Sequence, residues 1–138
     1  MTEEFKNWCR DAFKFLLSDY GFQDMPLPHP KHSNPYQARF SNGTIEIIVL
    51  GEGYGTIANI EYVTIEGIEV ATQILEPGWE PFKKGKRKKT PQVSQKEQIF
   101  EAANRIKVRD TDILSGDLTR LNEAASRWQA ICCKMGWK

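Results

Sequence analysis

The sequence has few of the residues that build disulfide frameworks and metal sites. Among its 138 residues there are three cysteines and two histidines. The number of cysteines is odd, and Cys132 and Cys133 are neighbours, which is typical of reduced thiols in a cytoplasmic protein. His29 and His32 lie in a proline-rich stretch with no Cys or acidic pair at zinc spacing. We therefore predict no metal site and no cofactor.

Long hydrophobic runs are also absent. No stretch approaches the roughly 20 consecutive apolar residues that a membrane-spanning helix needs, and residues 1–4 include two glutamates where a secretory signal would be basic. With 40% hydrophobic and 27% charged residues, the composition is that of a globular chain long enough to bury a core without cross-links. We predict a single domain over residues 1–138 that does not contact a membrane.

Basic charge is concentrated in one short run. The formal net charge is +1, yet residues 1–82 carry 12 acidic against 5 basic side chains. The basic residues of the run are Lys83, Lys84, Lys86, Arg87, Lys88 and Lys89. We predict a mobile loop at about 76–93, because prolines break regular structure there and the run has no apolar residue to pack. The run is a candidate nucleic-acid-binding segment, and the alternatives are contact with an acidic protein surface or a merely solubilising role.

Helices are predicted near both ends of the chain. Apolar residues at i, i+3 and i+4 spacing predict a first helix that begins after Thr2 and stops at Gly21. A capping box at residues 94–97 begins a second helix. A third helix is expected to have Asp117 as its N-cap and to end at Gly136.

Between these helices the hydrophobic period changes to two. This pattern predicts strands over residues 36–40, 44–50, 56–65 and 68–75. Their short connections favour an antiparallel meander with one buried and one polar face. The predicted fold class is α+β, a two-layer sandwich with a four-stranded antiparallel meander and the order α-β-β-β-β-α-α. The polar face is expected to carry the candidate protein-binding residues Glu46, Asn59, Glu61, Glu69 and Gln73.

Two short motifs resemble ligand-binding loops but lack the necessary context. The glycines of Gly51–Gly55 resemble a phosphate loop, although a strand and not a helix follows them. The acidic residues of Asp110–Asp117 resemble a calcium loop, but Leu121 stands where a bidentate Glu is required. Glu61 and Glu69 form a carboxylate pair only if they meet across strands, and exposed glutamates on a wet sheet face are the commoner case. We predict no catalytic residues.

The order of elements also resembles a group of known proteins. The features that carry this resemblance are residues 15–22 (FLLSDYGF), the hairpin at 36–50, and residues 113–117 (ILSGD) before the last helix. With these, the chain resembles small single-domain bacterial proteins, some of which are similar to immunity proteins of polymorphic toxin systems. The resemblance implies an inhibitor that binds a toxin, but it carries over no functional residue. The run at 83–89 departs from the pattern of that group.

Together these patterns predict a non-enzymatic cytoplasmic protein that binds another protein through the polar face of its sheet. The acidic region 1–82 suits a basic partner, such as a toxin domain with nuclease activity. The alternative is a nucleic-acid-associated module that contacts phosphates through residues 83–89. A small enzyme with a cleft between the Gly51–Gly55 loop and the sheet is a third hypothesis.

Overall fold

The computed structural model describes residues 2–25, 36–52, 57–75 and 93–134. Its helices are α1 (Thr2–Ala12), α2 (Lys14–Asp19), α3 (Gln95–Arg109), α4 (Thr111–Leu114) and α5 (Thr119–Lys134). Its strands are β1 (Gln23–Met25), β2 (Gln37–Ser41), β3 (Glu46–Glu52), β4 (Ile57–Val63) and β5 (Glu69–Ala71). A 3-10 helix at Thr72–Leu75 follows β5. The predicted α+β class with an antiparallel sheet is confirmed.

The sheet is an antiparallel meander in the order β1-β2-β3-β4-β5. The prediction of four strands was wrong, because β1 adds an edge strand of three residues that is too short to show a period of two. The last predicted strand was too long, since residues 72–75 form the 3-10 helix. Gln73 therefore lies outside the sheet.

The helices differ from the prediction mainly at their boundaries. The first predicted helix is interrupted at Phe13, which separates α1 from α2. Ser94 caps α3 as expected, because its Oγ accepts a 3.2 Å hydrogen bond from the backbone N–H of Glu97. The last helix begins two residues after Asp117, whose carboxylate still accepts a hydrogen bond from the backbone N–H of Thr119. No helix in the described part of the chain is long and apolar enough to cross a membrane.

One face of the sheet, the inner face, is buried by helices. Phe40, Ile47, Tyr62 and Val70 lie in one cross-strand row of this face, and each is fully buried. Helices α1 and α3 pack over it, whereas α5 packs against β5 and the 3-10 helix at the edge of the sheet. The helices therefore do not form the single layer that the sequence predicted.

Gly51 allows helices α1 and α3 to approach β3 closely. A Cβ atom at this position would lie 2.8 Å from Nε2 of Gln95 and 2.9 Å from Cε2 of Phe5. Gln95 uses that same Nε2 atom to donate a 2.8 Å hydrogen bond to the carbonyl oxygen of Ile57. The glycine therefore serves packing within a strand, in agreement with the interpretation that it is not part of a phosphate loop.

We expect Gly51→Ala to lower the free energy of unfolding by about 1–3 kcal/mol, because the added methyl group overlaps two packed side chains. Urea unfolding followed by circular dichroism measures this loss. In a Phe5→Leu background the ring atom that meets the methyl group is gone, so the same substitution should cost less. An equal cost in both backgrounds would contradict the close approach.

Candidate functional site

The face of the sheet opposite the core, here called the outer face, brings together four of the five predicted binding residues. Glu46 and Glu69 flank Val63 in one cross-strand row. Glu61 lies in the next row, and Asn59 lies one row further along β4. Gln73 is not part of this face, because it belongs to the 3-10 helix. The four candidates that lie in strands are thus on one face of the sheet, as the period of two predicted.

The outer face is not uniformly polar. Ile48 lies opposite Glu61, Leu50 lies opposite Asn59, and Val63 lies opposite Glu46. These three aliphatic side chains are half-buried. An aliphatic and a polar side chain therefore alternate across β3 and β4, which gives the face apolar contact area between its charges.

Glu46 is engaged within the chain. Its carboxylate accepts a hydrogen bond from Nε of Arg39, and the two side chains are only 18% and 20% exposed. Sequence reasoning did not include Arg39 in the site. The turn at Asn42–Gly43 sets the register of β2 on β3, and this register brings Arg39 close to Glu46. The turn sequence could therefore have predicted the pair. Glu69, by contrast, is exposed.

Glu61 and Glu69 do not form a directly opposed carboxylate pair. Glu61 lies opposite Ala71, and Glu69 lies opposite Val63, so the two glutamates are diagonal neighbours across β4 and β5. Diagonal positions on one face are roughly 7–8 Å apart, further than directly opposed ones. Glu69 is exposed, whereas Glu61 is half-buried beside β5.

A cleft of about 450 Å³ opens beside β4, between this strand and helices α3 and α5. Among its lining residues are Asn59, Glu61, Arg105, Arg109 and Trp128. The pairing of β4 with β5 covers only the last three residues of β4, so the preceding part of the strand borders the cleft. The cleft predicted for an enzyme, between the Gly51–Gly55 loop and the sheet, stays a prediction, because the last three residues of that loop lie outside the described part of the chain.

A buried ionic network forms one wall of this cleft through Arg109. Asp110 is fully buried, and its carboxylate accepts a 2.8 Å hydrogen bond from the hydroxyl group of Tyr62. Arg109 donates to both carboxylate oxygens, at 2.8 and 2.9 Å, and Arg120 donates to Oδ1. Arg120 also donates a 3.0 Å hydrogen bond to Asp112. Both aspartates of the segment that resembles a calcium loop thus belong to an internal ionic network.

Three side chains, Tyr62, Cys9 and Asp117, have shifted pKa values, and all three pKa values move away from neutrality. Burial and the neighbouring Asp110 raise the pKa of Tyr62, and burial raises the pKa of Cys9 to about 12. Hydrogen bonds from the hydroxyl group and the backbone N–H of Thr119 lower the pKa of Asp117. None of these three groups is a general acid or base poised near pH 7.

Several predicted candidates lie outside the described residues. These are the basic run 83–89, both histidines and the loop around them. Among the residues that the structure does describe, no three His, Cys, Asp or Glu side chains lie together as a metal site would require. The absence of a cofactor stays a prediction.

Comparison of the chain with family models, curated proteins and solved structures finds no match. The resemblance to immunity-type proteins therefore rests on the sequence pattern alone. Any function has to be argued from the geometry of this chain.

We expect Tyr62→Phe to remove a pH dependence of stability above pH 10. Because the pKa of Tyr62 is raised from its ordinary value of 10.0, the folded protein keeps this proton at a pH where the unfolded chain loses it. The contribution of this retained proton to the free energy of unfolding is fully present below pH 10. It declines as the pH rises further, by up to about 1.4 kcal/mol per pH unit.

Urea unfolding of both proteins between about pH 8 and pH 11 tests this prediction. The thiol of Cys9 is present in both proteins, so its own effect cancels from the difference. The stability of wild type should fall more steeply than that of Tyr62→Phe. Parallel curves would show that the buried hydroxyl group carries no such linkage.

Proposed function

We propose that this chain is a non-enzymatic protein-binding protein of the cytoplasm, and that its outer face engages the partner. The observation that carries the proposal is the alternation of Ile48, Leu50 and Val63 with Glu61, Asn59 and Glu46 across β3 and β4. The fully buried apolar residues of the strands, among them Phe40, Ile47 and Tyr62, belong to the inner face.

The composition of the outer face supports a protein partner. Interfaces between proteins combine apolar contact area with a polar rim, and half-buried aliphatic side chains supply that area here. A wet sheet face with no partner would be expected to alternate apolar-in and polar-out more cleanly. The mixed face therefore favours a binding role.

The charge of the chain supports a basic partner. Residues 1–82, which include the whole sheet, carry 12 acidic and 5 basic side chains. Acidic surfaces increase the association rate with basic proteins and disfavour acidic ones. A basic toxin domain, as inhibited by immunity proteins, is the partner that fits best.

The combined variant Glu61→Lys/Glu69→Lys should lose this partner. Tagged protein would be used to capture partners from a nuclease-treated lysate of its own host, followed by mass spectrometry. The matched control is Glu66→Lys/Glu123→Lys, which changes the net charge equally at exposed positions off the outer face. Glu46 is left intact, because a lysine there would lie against Arg39.

A partner at near-equal stoichiometry that the control retains and the outer-face variant loses supports the proposal. Equal capture by both variants would place the binding surface elsewhere. Thermal melting of each variant shows whether it is folded, so that a loss of binding is not mistaken for a loss of structure.

Binding of nucleic acid through residues 83–89 is the second candidate function. The observation that favours it is the presence of six basic residues in this run of seven. The charge-neutralised variant Lys83→Gln/Lys84→Gln/Lys86→Gln/Arg87→Gln should bind duplex DNA and RNA more weakly at low salt. Each lost phosphate contact on duplex DNA should reduce the slope of log affinity against log salt concentration by about 0.9. Unchanged affinity at low salt would exclude this function.

A further inference from the structure

The edge of β4 that faces β5 is only partly covered by a neighbouring strand. Strand β3 pairs with all seven residues of β4, whereas β5 pairs only with residues 61–63. Residues 57–60 therefore have no strand on this side within the part of the chain that the structure describes. We call this stretch the open edge. A strand edge without a neighbour is a place at which another chain can add a strand.

The backbone N–H of Ile60 points to this open side. Along a strand, alternate residues direct their backbone N–H groups to the same edge. The N–H of Ala58 donates a 3.0 Å hydrogen bond to Oε1 of Gln98 on α3. The N–H of Thr64 donates a 2.9 Å hydrogen bond to the carbonyl oxygen of Ile68 in the turn to β5. Both groups point away from β3, and Ile60 lies between them at even spacing, so its N–H points the same way.

The ladder between β4 and β5 ends just before Ile60. Its last pair is Glu61 with Ala71, so the next position would set Ile60 opposite Thr72. Thr72 instead begins the 3-10 helix, and its carbonyl oxygen accepts a 3.1 Å hydrogen bond from Nη2 of Arg109. The acceptor that would continue the ladder is therefore directed to another element.

The cleft of about 450 Å³ lies in the place of the missing strand. Its lining includes Ala58 and Ile60 of β4, together with Ala71 and Thr72 at the end of β5. With a rise of about 3.3 Å per residue, about 4.8 Å between strands and about 10 Å between layers, one extended residue takes up roughly 160 Å³. The cleft thus has room for about three residues of extended chain.

The two sides of this cleft differ in polarity. An added strand alternates its side chains between the two faces, as β4 does. The residue beside Ile60 would face Ala102 and Ile106 on the core side. Its two neighbours would lie beside Asn59 and Glu61 on the outer side. The cleft therefore suits an extended segment in which an apolar residue lies between two polar residues.

We propose that the open edge binds an extended peptide segment of a protein, which adds a strand where β5 ends early. A hydrogen bond from the backbone N–H of Ile60 to a carbonyl group of the segment supplies part of the affinity, and the apolar core side of the cleft selects the residue beside it. A glutamine amide has the acceptor and donors of a peptide group, so Gln98 already holds the N–H of Ala58 as a strand would.

This inference goes beyond the proposed function and does not depend on it. A peptide can bind the open edge whether or not a partner covers the outer face. The variant used below changes Ala102, which belongs to α3 and not to the sheet. Failure of the peptide test therefore leaves the capture experiment on the outer face unaffected, and the reverse also holds.

Random heptapeptides displayed on phage and panned against the wild-type protein supply the probe. The enriched peptide is synthesised with a fluorophore, and its affinity is measured by fluorescence anisotropy. Ala102→Phe should weaken binding by at least about tenfold, because the added ring fills the cleft. The matched control Ala130→Phe adds the same ring at an exposed position of α5 outside the cleft lining and should bind like wild type. Thermal melting shows whether both variants are folded.

Two further measurements use the wild-type protein and test the strand geometry itself. Alternate amides of an added strand face β4, so methylation of the peptide nitrogens should weaken binding at every second position. Amide hydrogen exchange followed by NMR should slow at Ile60 when peptide is bound. Exchange at Asn59 and Glu61, whose N–H groups point to β3, should change much less.

Three results would each overturn the inference. The first is that no enriched peptide loses affinity for Ala102→Phe while it keeps affinity for Ala130→Phe. The second is a methylation profile without a period of two, which would show that the peptide does not bind as a strand. The third is unchanged exchange at Ile60 in the presence of saturating peptide.

Discussion

The arrangement of helices on the sheet depends on one buried carboxylate. Asp110 has no contact with solvent, and Tyr62, Arg109 and Arg120 all donate hydrogen bonds to it. A carboxylate buried without partners costs several kcal/mol, and each donor offsets part of that cost. The donors come from β4, α3 and α5, so the charge is compensated only when these three elements take one relative position. We therefore infer that this network makes the packing of β4, α3 and α5 specific more than it raises the stability of the fold.

The position of α3 in turn determines the surfaces that the molecule presents. One side of this helix packs on the sheet, where Gln98 accepts a 3.0 Å hydrogen bond from the backbone N–H of Ala58. Its opposite side carries Phe100 and Lys107, which line a groove between α3 and the helices α1 and α2.

Features that depend on local sequence could be predicted, and features that depend on distant contacts could not. The period of two in β3, β4 and β5 placed Glu46, Asn59, Glu61 and Glu69 on one face, and the cap at Ser94 marked the start of α3. The strand β1 is too short to give a periodic signal. The Asp110 network was missed because its donor on β4 lies 48 residues away in the chain, so the sequence shows only an acidic turn.

If the outer face binds a partner as proposed, its charged and its aliphatic side chains contribute to binding in different ways. Glu69, which is exposed, would increase the rate of encounter with a basic partner, but salt screens such a charge and its attraction would contribute little to affinity. Glu46 contributes least, because Arg39 already neutralises it. Affinity must then come from apolar area removed from water, and on this face that area belongs to Ile48, Leu50 and Val63. A face with glutamates alone would attract many basic proteins weakly, so selectivity for one partner depends on how its surface fits these three side chains.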